Sequence, residues 1–192
     1  ASFTSFLYSM LRVLKPILPI NESDILESLE KLEVVSKKIN SNNLSMSNPS
    51  IQISEWLDNF PIIYFPFGLQ SAAVRFKNAI QENAKTHAMV EDIIESSHNG
   101  IVGWNRESNF QPILLQGKDD VETTKERWMI LKEFFKSKSI DYKEIVSEEG
   151  NILTKIICLI YVLDYSSIFL AIKLKVDPSP VVAIDFIKKR LN

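Results

Sequence analysis

The chain has 192 residues, 45% of them hydrophobic and 24% charged, with a formal net charge of -2. That composition supports a buried core rather than a disordered chain, and the near-neutral balance excludes nucleic acid as the main partner. Cys158 is the single cysteine, so an intramolecular disulfide and a multi-cysteine metal site are both excluded; a reducing, cytoplasmic location is the expectation.

Phe3, Phe6, Leu7, Met10, Leu11, Leu14 and Leu18 recur every three or four residues, an amphipathic helix that Pro16 ends or kinks. No signal peptide is legible there, because Arg12 and Lys15 interrupt the apolar segment. Residues 21–24 (Asn-Glu-Ser-Asp) cap a second helix from Ile25 to about Asn40. Together the two form an N-terminal helical hairpin, residues 1–45. The polar stretch 41–47 is a boundary, and residues 46–192 form the main domain. Because the chain opens at Ala1, within this helical pattern, it reads as part of a longer polypeptide: the hairpin is then a linker arm or the end of a preceding domain.

Asn48-Pro49 starts a third helix. Residues 61–65 (P-I-I-Y-F) are a short apolar strand, and Pro66-Phe67-Gly68 turns into a helix over 70–82. Between residues 72 and 104 the charges fall at helical spacings: Arg75, Lys77, Glu82 and Lys85, then Glu91, Asp92 and Glu95. We read two helices there, with His87 in the first and residues 96–100 (S-S-H-N-G) stopping the second. Residues 101–104 (I-V-G-W) then read as a buried strand.

Residues 111–116 are a continuous apolar strand, 123–136 a helix with Trp128, Leu131, Phe134 and Phe135 inside, and 140–147 an alternating strand. Residues 151–176 are a long buried helical region. Its longest apolar run, residues 156–163, falls well short of the ~20 needed to cross a bilayer, so no membrane association is expected. Residues 177–180 (D-P-S-P) break the helix, and 181–191 form a last amphipathic one. Strands alternating with helices predict an α/β layered sheet, largely parallel.

The pattern A-x-R-x-K-x-x-x-x-E-N-x-K over residues 73–85, then Ser97-His98-Asn99 and Trp104, resembles the bifunctional phosphoglucose/phosphomannose isomerases of the sugar isomerase (SIS) superfamily. The likeness extends to Asn48-Pro49, the strand at 61–64, and the tail from Asp177-Pro178 to Lys188. It covers about residues 47–192. It implies an SIS-type three-layer αβα sandwich forming the C-terminal half of such an enzyme, without a metal or cofactor, working as a homodimer on fructose 6-phosphate and glucose 6-phosphate, with mannose 6-phosphate left open as a further substrate.

Aldose–ketose isomerisation needs ring opening, a proton moved between C1 and C2 through an enediol, and a held phosphate. A partly desolvated carboxylate suits the second step, and histidine titrates in the right range for the first. Spacing alone leaves Glu82 a solvated helix-terminal residue; the resemblance makes it the proton-transfer base. His98 sits on a turn, and the resemblance makes it the ring-opening group, lent across the dimer interface. Lys188 matches the family's terminal lysine that reaches the substrate, with Lys189 a near competitor. Arg75 and Lys77 are candidates for phosphate or the partner chain, with ion pairing to nearby carboxylates an equal alternative. Ser179 or Val181 matches the position tied to epimer tolerance. His87 reads as packing.

Two departures stand out. The family's H-N-E is H-N-G here, with Gly100 third, and Phe65 stands where a glycine commonly follows the strand's tyrosine. The lost carboxylate bears on the imidazole's orientation. It also favours an alternative, a non-catalytic SIS module that binds a sugar phosphate or mediates assembly. The family's serine/threonine phosphate loop belongs to its first SIS domain, so this chain alone is expected to be inactive. No G-x-G-x-x-G, H-E-x-x-H or G-x-S-x-G is present to suggest another chemistry.

Overall fold

Four parallel strands form the centre of the molecule in a computed structural model that describes residues 3–191. They are β1 (Phe60–Phe65), β2 (Met89–Asp92), β3 (Phe110–Gln116) and β4 (Lys143–Val146), in the order β2-β1-β3-β4. The order reverses between β1 and β3. Right-handed crossovers must therefore run over opposite faces. Helix α4 (Gln70–Asn83) carries the chain from β1 to β2 over one face, and α6 (Glu122–Ser137) carries it from β3 to β4 over the other.

Alternation along the strands fills both layers. Ile63, Phe65, Ile113, Leu115 and Ile145 meet Phe76 and Ile80 of α4 and the long helix α7 (Ile152–Lys173). Ile62, Tyr64 and Leu114 point the other way, onto Trp128, Leu131 and Phe135 of α6. The result is the expected three-layer sandwich.

In front of it stand α1 (Phe3–Leu14) and α2 (Glu22–Ile39), joined where the Tyr8 hydroxyl meets Ser28 Oγ at 2.8 Å. Val35 and Ile39 of α2 pack on Ile157 and Cys158 of α7. Helix α3 (Pro49–Trp56) begins at Asn48, whose side chain accepts from the Ser50 N–H, and Ser50 Oγ donates to the Val162 carbonyl of α7. Helix α7 is thus enclosed by the sheet, α3, α4 and the hairpin. It is long and apolar enough to cross a membrane by composition alone, beyond what the eight-residue run 156–163 suggested, yet half of that stretch is buried inside this fold. Helix α8 (Val182–Lys188) buries none of its residues.

Two elements differ from the sequence expectation. Residues 89–92, read as helical, are strand β2. Helix α4 stops at Asn83, and Lys85 turns the chain with φ at 55°, so His87 lies outside the helix, against the Phe60 ring with centroids 6.3 Å apart. Glu91 and Asp92 suit an edge strand, where charge discourages pairing with another chain. Residues 101–104, read as a strand, belong to a 3-10 helix, Gly100–Asn105, after a short helix α5 (Ile93–Ser96). Val102 is 60% exposed there and only Trp104 is buried; one anchoring residue in four is too few for a sheet strand.

Candidate functional site

Helix α4 runs antiparallel to β1, so its last turn, carrying Glu82, lies at the sheet edge where the strands begin. Glu82 is exposed and forms part of the wall of two cavities. One, of about 630 Å³, lies between α4 and α7 and includes Arg75, Asn78, Asn83, Asp164 and Tyr165. The other, of about 460 Å³, lies between the end of α4 and the segment entering α8, and includes Lys85, Asp177, Pro180 and Val181.

The surroundings of Glu82 are fixed by hydrogen bonds. Asn83 Nδ2 donates to Ser167 Oγ at 2.8 Å, and Ser167 Oγ donates to the Asp164 carbonyl at 2.6 Å. Lys85 Nζ donates to the carbonyls of Glu82, at 2.6 Å, and Pro178, at 3.2 Å, tying the helix end to the turn before α8. Arg75 uses Nη2 and Nε on the Asp164 carboxylate at 2.7 and 3.1 Å, with Phe3 stacked 4.2 Å from its guanidinium carbon. Its charge is therefore taken up within the chain, the ion-pair alternative drawn from sequence, although it still faces the larger cavity.

His98 occupies the other end of the sheet. It follows β2 and α5, the latter opened by Asp92 Oδ1 accepting from the Ile94 N–H at 2.8 Å. The His98 N–H donates to the Glu95 carbonyl at 3.0 Å and its side chain is exposed. Below the turn, Trp104 Nε1 donates to the Tyr64 hydroxyl at 2.8 Å, pinning the 3-10 helix to β1. Burial pushes the Tyr64 hydroxyl well above its ordinary range. The side-chain space that Gly100 leaves open is taken by the Glu91 carboxyl, which burial also shifts upward.

Helix α4 has 14 residues, which at 1.5 Å each separates the two sheet edges by about 20 Å. Within one chain, Glu82 and His98 do not meet.

A family model, the bacterial phospho-glucose isomerase C-terminal SIS domain, matches residues 46–191. The chain belongs to this family. It is 32% identical over 139 residues to a bifunctional phosphoglucose/phosphomannose isomerase of Caldicellulosiruptor bescii, covering 70% of this chain and 41% of that protein. With the enzyme of the same name from Aquifex aeolicus it shares 26% identity over 167 residues, covering 85% and 52%. The chain thus spans about half the length of the curated relatives it matches. Among solved structures, a glucose-6-phosphate isomerase like protein from Thermus thermophilus superposes with a TM-score of 0.69 at 16% identity, covering 88% of this chain and 56% of that one. That likeness establishes the SIS fold.

On this SIS domain the remaining candidates are spread along the C-terminal segment. Ser179 is exposed; its N–H donates to Asp177 Oδ1 at 2.9 Å, and it sits between Asp177 and Pro180, which both face the smaller cavity. Lys188 is exposed at the far end of α8, beyond the turn that lines that cavity. Sequence reasoning did not single out Asp164 or Tyr165. A lone carboxylate in an apolar helix was the available signal for Asp164, since such a group needs a partner. Tyr165 carried no such mark.

Proposed function

We propose that this SIS domain is the C-terminal portion of a cytoplasmic aldose–ketose isomerase that interconverts glucose 6-phosphate, and mannose 6-phosphate, with fructose 6-phosphate. The observation that carries the reading is Glu82: the glutamate of the family motif stands at the junction of two cavities, on a helix end held by Asn83 and Ser167. In this reading Glu82 takes the proton from C2 of the open aldose, leaving an enediolate, and returns it to C1 while the proton of the C2 hydroxyl passes to the C1 oxygen, which gives the ketose. His98 opens the ring. Because one chain separates the two by the length of α4, the imidazole comes from a second copy, and the working unit is a homodimer. Lys188 reaches the sugar hydroxyls, and Ser179 governs acceptance of the mannose epimer. Phosphate is held mainly by residues outside this chain, since Arg75 is occupied by Asp164.

A coupled assay with fructose 6-phosphate tests this. The 192-residue chain alone should show little turnover. In a protein of the relatives' full length, Glu82→Gln should lower kcat by about 10²-fold or more while leaving sugar-phosphate affinity in place. Unchanged turnover in Glu82→Gln removes the assigned base. Retained binding with no turnover in the unsubstituted protein favours the non-catalytic reading that Gly100 raises.

A further inference from the structure

Glu91 is in register with Tyr64 across β2 and β1, so its side chain lies on the α6 face of the sheet, below the His98 turn. Its Oε2 is buried, and no donor among the described residues reaches it. An unpartnered buried carboxyl oxygen is costly and rare, so its position calls for a reason. Gly100 supplies the geometric half. A Cβ on residue 100 would overlap Glu91 Oε2 and stand 3.0 Å from the carboxyl carbon. Residues 91 and 100 therefore compete for one space beside the turn, and glycine at 100 leaves it to Glu91. The far end of the 3-10 helix is already anchored by the Trp104–Tyr64 bond; at its near end Ile101 packs on the core and Asn99 Nδ2 donates to Glu95 Oε1 at 2.9 Å, while the Glu91 carboxyl takes the space beside Gly100, two residues from His98.

We propose that Glu91 is the positioning residue of the His98 turn, its carboxyl wedged under Gly100 so that the imidazole is presented at a fixed height above the sheet edge. The role rests on the reading of His98 as the ring-opening group, but the competition between positions 91 and 100 is measurable without turnover.

The chain has only two histidines, so the His98 imidazole proton signals are assignable by comparison with His87→Gln. Gly100→Ala expels a carboxyl at the end of a flexible side chain and leaves the fold intact. Gly100→Ala and Glu91→Ala should each move the His98 resonances, and the double variant should move them no further than either alone. Glu91→Gln, which keeps the shape of the wedge, should leave the resonances close to their original positions. Additive shifts, or unmoved His98 signals in a folded Glu91→Ala chain, overturn the proposal; Glu91→Asp, which withdraws the carboxyl by one methylene, repeats the measurement if the alanine variant does not fold. In the full-length protein, Glu91→Ala should lower kcat about tenfold with KM for fructose 6-phosphate unchanged. Should Glu82→Gln keep full turnover, the isomerase reading fails while the resonance test of Glu91 still stands.

Discussion

Asn83 and Ser167 join the last turn of α4 to α7 through a 2.8 Å hydrogen bond, one residue away from Glu82. Ser167 is fully buried, so removing the amide leaves its hydroxyl with only the Asp164 carbonyl as a partner. Asn83→Ala should cost about 1 kcal/mol, lowering the melting temperature by about 3 °C for a chain of this size. Calorimetry checks this. On the proposed isomerase reading, in which this bond fixes the helix end that carries Glu82, the same variant in the full-length protein should lose kcat beyond what the stability loss explains.

Arg75 and Asp164 form a bidentate pair between α4 and α7, 39% and 27% exposed. At that exposure screening by solvent is substantial, and the coupling should be about 1 kcal/mol or less. A double-variant cycle of Arg75→Ala and Asp164→Ala in urea should return that value. Arg75→Ala alone should cost more than Asp164→Ala alone, because it also removes the guanidinium stacked on the Phe3 ring.

The central strands were legible because β1 and β3 are covered on both faces and so carry uninterrupted apolar runs. β2 was not, for an edge strand of four residues has one neighbour and tolerates Glu91 and Asp92. The break before it rests on the positive φ of Lys85, which no glycine or asparagine announces. The run 101–104 has a strand's composition, but only the exposure of Val102 reveals that one side faces water. Glu82 and His98 stood out as members of a motif. Their separation by the sheet's height follows from α4 running antiparallel to β1, which needs the assignment of β2. Glu91 was invisible as a site, since its burial depends on an absent side chain nine residues away.

Cys158 lies on α7 against Val35 and Ile39 of α2 and is 1% exposed. Burial pushes its thiol up to about 12, and a thiolate is the species that alkylates. Iodoacetamide at pH 8 should leave the folded chain unmodified and label it fully in denaturant, as mass spectrometry would show. Rapid labelling of native protein would mean that α2 detaches from α7.

Glu91 makes stability depend on pH in a definite direction. Burial raises its folded-state value above the 4.5 of an ordinary glutamate. A group shifted that way binds its proton more tightly when folded, so its contribution is complete below 4.5, where both states are protonated. It diminishes as pH rises through the folded value, where the folded chain must ionise a partly buried carboxyl, one oxygen of which has no donor among the described residues. Glu91→Gln cannot ionise. Its unfolding free energy, followed in urea from pH 4 to pH 8, should fall less with rising pH than that of the parent chain. Gly100→Ala, by moving the carboxyl into water, should flatten the profile in the same way. Parallel profiles for all three proteins would mean that the carboxyl is as well solvated in the folded chain as in the unfolded one.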